Sequence, residues 1–170
     1  ITTVLEGLKY LHDKGWVHCD VKPDNFMVDD EGNCKLIDFA LAVKIPSAIG
    51  RFFGGGKSKT IAGTRSYMSP EQIRRKSLDN RSDIYSAACL LTELTTRKVR
   101  FTGDSPENLL TLHLIMKAPP ISSINTNSTQ DFSDIVAEML SKQPAGRPDS
   151  IAVILGRLKT MRIYKAQILH

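Results

Sequence analysis

The chain has 170 residues with 23 basic and 18 acidic side chains, a net charge of +5 and a pI of about 9.2. That is enough length for one domain with a core, and the mild positive charge excludes a dedicated nucleic-acid binder. The densest clusters, Arg74-Arg75-Lys76 and Arg97-Lys98-Val99-Arg100, read as solvated surface, because no basic face accompanies a recognised motif. Three cysteines, Cys19, Cys34 and Cys89, are too few and too irregularly spaced for a disulfide framework, and no Cys/His spacing suits zinc. Cys34 and Cys89 sit in apolar runs and read as small core residues. No apolar stretch approaches the ~18 residues of a membrane helix and no signal peptide is visible. The expected compartment is therefore the reducing cytoplasm, with no membrane segment within these residues.

Taken in order, Ile1, Val4, Leu5, Leu8 and Leu11 recur at helical spacing, and Gly15 supplies the stop. This amphipathic helix delivers Trp16-Val17 into His18-Cys19-Asp20-Val21-Lys22-Pro23-Asp24-Asn25. Pro23 fixes its own φ and biases its neighbour toward extended backbone, so the stretch reads as a tight loop. Phe26-Met27-Val28 and Cys34-Lys35-Leu36-Ile37 are β-prone runs separated by the turn composition Asp29-Asp30-Glu31-Gly32-Asn33, which predicts a hairpin. Such a hairpin returns Asp38 to the side of Asn25, and two oxygen donors converging there suit Mg²⁺. Residues 41 to 62 are the least regular stretch. Gly56-Lys57-Ser58 fails as a phosphate-binding Walker motif, since Arg51 stands where the leading glycine belongs.

Downstream, Asp83-Ile84-Tyr85-Ser86 opens a run from Ala87 to Leu94 that is apolar nearly all round, as a helix at the centre of a domain must be. Ser105-Pro106-Glu107 offers an N-cap with proline in the first turn, leading into a helix over Leu109 to Met116 that Pro119-Pro120 ends. Residues 121 to 130, rich in Ser, Asn and Thr, read as a loop. Phe132, Ile135, Val136, Met139 and Leu140 form one more helical stripe, and Ile151, Ile154, Leu155, Leu158 and Met161 the last. There are no internal repeats.

The segment from His18 to Asn25 resembles the catalytic loop H-R-D-x-x-x-x-N of protein kinases, and Asp38-Phe39-Ala40 their D-F-G motif. Gly63-Thr64-Arg65-Ser66-Tyr67-Met68-Ser69-Pro70-Glu71 is similar to the end of an activation segment. Each piece alone is explicable as a solvated turn; three in order and at the right spacing are not. The resemblance implies an α+β, protein-kinase-like fold: a mainly helical C-terminal lobe with a small β-hairpin, spanning residues 1–170, with the activation segment at 38–71. Nothing like a Gly-rich loop, a V-A-I-K lysine or its partner glutamate precedes these motifs, and the first residue is Ile1. The expectation is a large lobe whose small lobe belongs to a longer parent chain.

The same resemblance implies transfer of the ATP γ-phosphate to Ser or Thr hydroxyls of a protein substrate. Asp20, Lys22 and Thr64 would be catalytic; Lys22, Asn25 and Asp38 would bind ATP, and Asn25 and Asp38 would hold Mg²⁺. His18, Asp83 and the ion pair of Glu71 with Arg147 would be structural supports. Lys22 two residues after Asp20, together with Thr64, points to Ser/Thr rather than Tyr acceptors. Ser58 and Thr60 are candidate phosphoacceptors in the loop. Two positions depart from the family. Cys19 replaces an arginine that grips a loop phosphate, so activation by loop phosphorylation is not expected. Ala40 replaces a glycine, and an alanine forced to positive φ would cost roughly 1 kcal/mol. These departures support a competing expectation, a catalytically weak pseudokinase that serves as a protein-binding module. Bacterial Ser/Thr kinases share the general look of the loop and of the Ser-Pro-Glu-Gln ending.

Overall fold

The computed structural model describes residues 1–45 and 62–166. At its centre lies the predicted buried helix, α3 (Asn80–Thr96), most of whose residues are fully enclosed. Ser82, Ser86, Thr92 and Thr95 tolerate that burial because each hydroxyl donates inward: to Glu71 Oε1, Tyr67 O, Ala88 O and Leu91 O, at 2.7–2.8 Å. Asp79 caps the N-terminus by accepting from the Arg81 amide, and Arg97 ends the helix in the left-handed conformation.

Around it the apolar stripes of three helices join one core: α6 (Gln130–Met139) packs on the central helix with Phe132, Ile135 and Met139, α1 (Thr2–Asp13) contributes Leu5 and Leu8, and α7 (Ile151–Thr160) packs on α1 and contributes Ile151 and Ile154. Each of these side chains, fully withdrawn from water, contributes about 1.5–3 kcal/mol. Gly15 closes α1 at φ +78°, as expected of a stop. Ser105 accepts from the Asn108 amide and starts α4 (Pro106–Ile115) with Pro106 in its first turn. Among the described residues no helix is long and apolar enough to cross a membrane.

The hairpin forms as the turn composition predicts. β2 (Phe26–Val28) pairs antiparallel with β3 (Cys34–Leu36) in the register Phe26 to Leu36, and the Asp29 carboxylate accepts from the amides of Glu31 and Asn33 to shape the turn. A second pairing was not legible: β1 (Trp16–Val17) pairs with β4 (Val43–Lys44). Strands of two residues carry no periodicity, so only the long-range contact defines them. Two expectations are corrected. Ile121–Ile124 forms a short helix, α5, inside the stretch expected to be loop, because the fully buried Ile121 anchors one turn to the core. Cys34 is only half-buried on the hairpin, whereas Cys19 and Cys89 are buried.

Candidate active site

The loop between β1 and β2 is hung from the central helix. The Asp83 carboxylate accepts from the backbone amides of His18 (2.7 Å) and Cys19 (2.9 Å) and lies 2.8 Å from His12 Nε2. His18 is fully buried; its Nδ1 accepts from the Asp20 amide, so Nε2 carries the proton and donates to Ile37 O at 3.1 Å. Its ring meets the edge of Phe39 at 5.4 Å between centroids. His18 thus ties the loop to the strand that leads into Asp38.

Asp20 is the focus of the site. Its Oδ1 accepts from the Thr64 amide at 2.7 Å, and its Oδ2 from Lys22 Nζ at 2.8 Å and Asn25 Nδ2 at 3.3 Å. Lys22 Nζ also donates to Thr64 Oγ1 at 3.1 Å. Burial pulls the Asp20 carboxyl upward, but the hydrogen bonds from Lys22 and Thr64 outweigh it and hold the group below its ordinary 3.8. The hydrogen bond to Asp20 pushes the Lys22 ammonium the other way, upward. Asp20 is therefore a carboxylate at neutral pH with one lone-pair direction on Oδ1 unused by these partners.

The 3₁₀ turn Pro23–Asn25 brings Asn25 back under this group, where its Nδ2 also donates to Asp20 O at 2.7 Å. With both amide hydrogens engaged, the Asn25 Oδ1 is left as an acceptor. The Ile37 amide donates to Asn25 O at 2.9 Å, which sets Asp38 next to Asn25 as the hairpin predicted. Asp38 is exposed and sits at φ 59°. Asn25 Oδ1 and the Asp38 carboxylate are the hard oxygen donors of this part of the site, and such a donor set fits Mg²⁺ with most of its water shell kept. Among the described residues no cluster of three or more His, Cys, Asp or Glu side chains offers an all-protein metal cage, which a water-retaining Mg²⁺ does not need.

Asp38 and Cys19 (φ 68°) are held in the left-handed region, at a cost of about 1–2 kcal/mol each for non-glycine residues. Their backbone partners offset it: the Cys19 amide goes to Asp83, the Cys19 carbonyl accepts from Gln72 Nε2 at 2.7 Å, and Asp38 Oδ1 accepts from the Ala40 amide at 3.2 Å. Ala40 itself is not among the residues at positive φ. Alanine therefore meets no steric penalty there, and no distortion arises beside Asp38. Ala40→Gly is expected to change the activity of this site less than about twofold, since no left-handed conformation has to be reached; a large loss or gain in the initial rate would contradict this.

The Cys19 side chain is buried, its thiol turned toward Val17 O at 3.7 Å and pushed up to about 12 by burial and then by Asp83. It presents no charge to a phosphate. Ser58 and Thr60, with the rest of the stretch around Gly54-Gly55-Gly56, lie outside the described residues.

The segment from Gly63 to Ile73 is clamped to both the loop and the helices. Gly63, at φ +117°, passes so close to the backbone of the 18–25 loop that a Cβ would sit 3.0 Å from Cys19 O. Ser69 and Gln72 form a capping box at the start of α2 (Pro70–Ile73), and the remaining Gln72 amide donor reaches Cys19. Gln72 was not singled out from the sequence, although the Ser69-x-x-Gln72 spacing was the available signal. Glu71 and Arg147, both buried, form a bidentate pair at 2.6 and 2.9 Å. Arg147 also donates to Arg81 O and Ser141 O and stacks 5.0 Å over the Tyr85 ring. Burial pulls the Glu71 carboxyl upward, but Arg147 and Ser82 outweigh it and hold the group below 4.5. Beside Thr64 opens a cleft of about 530 Å³, walled by Gly63–Ser66 on one side and by Gly103–Pro106 with Leu109 on the other.

All nine residues singled out from the sequence thus fall into one connected assembly: Asp20, Lys22, Asn25, Asp38 and Thr64 at the open face, with His18, Asp83, Glu71 and Arg147 beneath. The model of the protein kinase domain matches residues 1–156. A probable serine/threonine-protein kinase of Clostridium perfringens is 33% identical over 159 residues, covering 94% of this chain and 22% of that protein. The serine/threonine-protein kinase PknL of Mycobacterium tuberculosis is 38% identical over 151 residues, covering 88% of this chain and 37% of its own. The probable serine/threonine-protein kinase PknB of Corynebacterium glutamicum is 33% identical over 174 residues, 98% of this chain and 26% of its own. The chain thus spans between about a fifth and two fifths of these relatives. With the 18–25 loop, the Asp38-Phe39-Ala40 motif and the clamped segment 63–73 in one assembly and the family model matching nearly throughout, the chain belongs to the protein kinase family.

Proposed function

We propose that this chain forms the large lobe of a bacterial-type Ser/Thr protein kinase, with residues 38–71 as its activation segment, and that the protein transfers the ATP γ-phosphate to serine or threonine hydroxyls. The observation that carries this reading is the Asp20 carboxylate, held by the Thr64 amide, Lys22 and Asn25, with one lone-pair direction on Oδ1 that these partners do not use. An acceptor hydroxyl donating to Asp20 Oδ1 is oriented for in-line attack and gives up its proton late. With its pKa held low, Asp20 is a weak base, so orientation is its larger contribution. Lys22, kept protonated by Asp20, offsets charge developing on the transferred group.

When bound, Mg²⁺ neutralises the phosphate oxygens of ATP; Asn25 Oδ1 and Asp38 are the groups that would hold it. The pseudokinase reading has less support: the four chemical groups Asp20, Lys22, Asn25 and Asp38 stand together, and Ala40 is unstrained. Three thiols, none in a disulfide, suit a reducing compartment, which we take to be the cytoplasm.

The test is phosphate transfer from γ-labelled ATP to a generic Ser/Thr substrate by the whole protein, read as acid-stable phosphoserine and phosphothreonine. Asp38→Asn replaces a charged ligand by a neutral one and is expected to weaken Mg²⁺-dependent ATP affinity by at least about tenfold. Equal affinity of variant and parent in a Mg²⁺ titration would remove Asp38 from the metal site.

A further inference from the structure

Away from the Asp20 face, two neighbouring cations, the buried Arg100 and the half-buried Lys142, lack, among the described residues, the carboxylates that ordinarily accompany desolvated charge. Arg100 is almost fully buried; one nitrogen donates to Pro119 O, while Nε and Nη1 have no partner among the described residues. Lys142 Nζ donates to Tyr85 OH at 3.2 Å and lies 4.7 Å from the centre of the Phe101 ring, whose other neighbours include Arg100 and His113. Among the described residues neither Lys142 nor Arg100 has a carboxylate within ion-pair distance. Guanidinium groups cannot shed their charge, so this wall projects uncompensated positive potential through low-dielectric protein.

Lys142 opens on a surface cleft of about 510 Å³ between the end of α4 and the end of α6. Its apolar lining includes Ile115, Ala118 and Leu140, and its polar lining is Lys117, Ser141 and Lys142. The single carboxylate there, Glu138, is already engaged by Arg157. Ile115 at 73% and Met116 at 45% exposure extend the apolar surface beyond the cleft, further than a small acid would cover. A cleft of this size takes a few side chains. We propose that this cleft docks a segment of a partner protein in which a Glu or Asp side chain, flanked by aliphatic residues, reaches Lys142 while its neighbours cover Ile115 and Met116. The docking is independent of phosphate transfer.

The geometry makes the docking pH-dependent with a defined sign. Facing Lys142 are Tyr85 and Cys89 on α3, His113 on α4, and the guanidinium groups of Arg74, Arg100 and Arg147. Burial first, and then the neighbouring cations, lowers Lys142 to about 8. His113, lowered to about 4, and Cys89, raised to about 12, stay neutral from pH 7 to 9, as does the Tyr85 hydroxyl, which burial also raises. Lys142 is thus the group of this cluster that changes charge in that interval.

Calorimetric titration of the intact protein with the blocked peptide acetyl-Leu-Glu-Ile-Leu-amide and its Gln counterpart tests the proposal. At pH 7 the Glu peptide is expected to bind at least about tenfold tighter, the value of one charge-assisted hydrogen bond. Its affinity should fall about tenfold from pH 7 to 9 as Lys142, near 8, loses its proton. Lys142→Arg should keep the affinity and flatten the pH profile; Lys142→Met should erase the preference for Glu. Equal affinity of the two peptides, no binding of either at millimolar concentration, or a preference surviving in Lys142→Met overturns the proposal. Should a variant fail to fold, the pH profile of the unsubstituted protein still decides: a Glu-peptide affinity that does not fall between pH 7 and 9 overturns the proposal as well.

Discussion

Replacing Asp20 by alanine is expected to lower the rate of the proposed phosphate transfer by about 10² to 10⁴, the range for a positioned acid–base group. The loss should appear in kcat with little change in the KM for ATP, because in the proposed reaction Asp20 would touch the acceptor rather than the nucleotide. Three partners converge on its two oxygens, so the substitution also frees Lys22 and the Thr64 amide from a shared anchor. Asp20→Asn separates the two effects. Asparagine preserves the shape and an acceptor for the Thr64 amide, but its amide hydrogens oppose Lys22 and it cannot take the hydroxyl proton. Both variants should be nearly inactive while unfolding at the parent's temperature within a few degrees. Turnover at the parental rate in either one would take Asp20 out of the reaction.

The second large effect is on stability. Arg147→Ala leaves Glu71 buried with only Ser82 as a side-chain partner, and removes bonds to Arg81 O and Ser141 O as well. Breaking a buried pair in this way costs about 3–5 kcal/mol, which for a chain of this size is a fall in Tm of roughly 6–20 °C. Arg147→Lys should recover little, since an ammonium cannot bridge both Glu71 oxygens while reaching two carbonyls. Removing both charges together, as Glu71→Leu with Arg147→Met, should be much less damaging than Arg147→Ala alone. A shift in Tm below 2 °C for Arg147→Ala would show that this pair does not anchor the segment. The pair also imposes an acid limit. The folded Glu71 carboxyl lies below its ordinary 4.5, so its contribution is complete above that pH and is lost as the pH falls from 4.5 through the lower folded value.

Much of this protein is determined by local sequence. Helix stripes, the Ser105 cap with Pro106, the Gly15 stop and the 26–36 hairpin were all legible, because each rests on periodicity or turn chemistry within a few residues. The candidate site was legible for a different reason: its chemistry-bearing groups lie close together in the chain, from His18 to Asp38, and the hairpin between them has a sequence signature of its own. What local patterns do not carry is contact between distant segments. The β1–β4 pairing joins strands too short to show a period, and one buried side chain, Ile121, turned a loop composition into a helical turn. Ala40 could have been strained or unstrained on its identity alone, and Cys19 could have been exposed. Only the folded backbone shows that Ala40 is not at positive φ, and Cys19 is buried where Asp83, 64 residues beyond it, holds the loop backbone. The same holds for Lys142 and Arg100, two unremarkable basic residues in the sequence. Only the packing of α3, α4 and α6 gathers them beside an open cleft, with no counter-charge among the described residues, because desolvation is a property of the assembled fold and not of any segment of the chain.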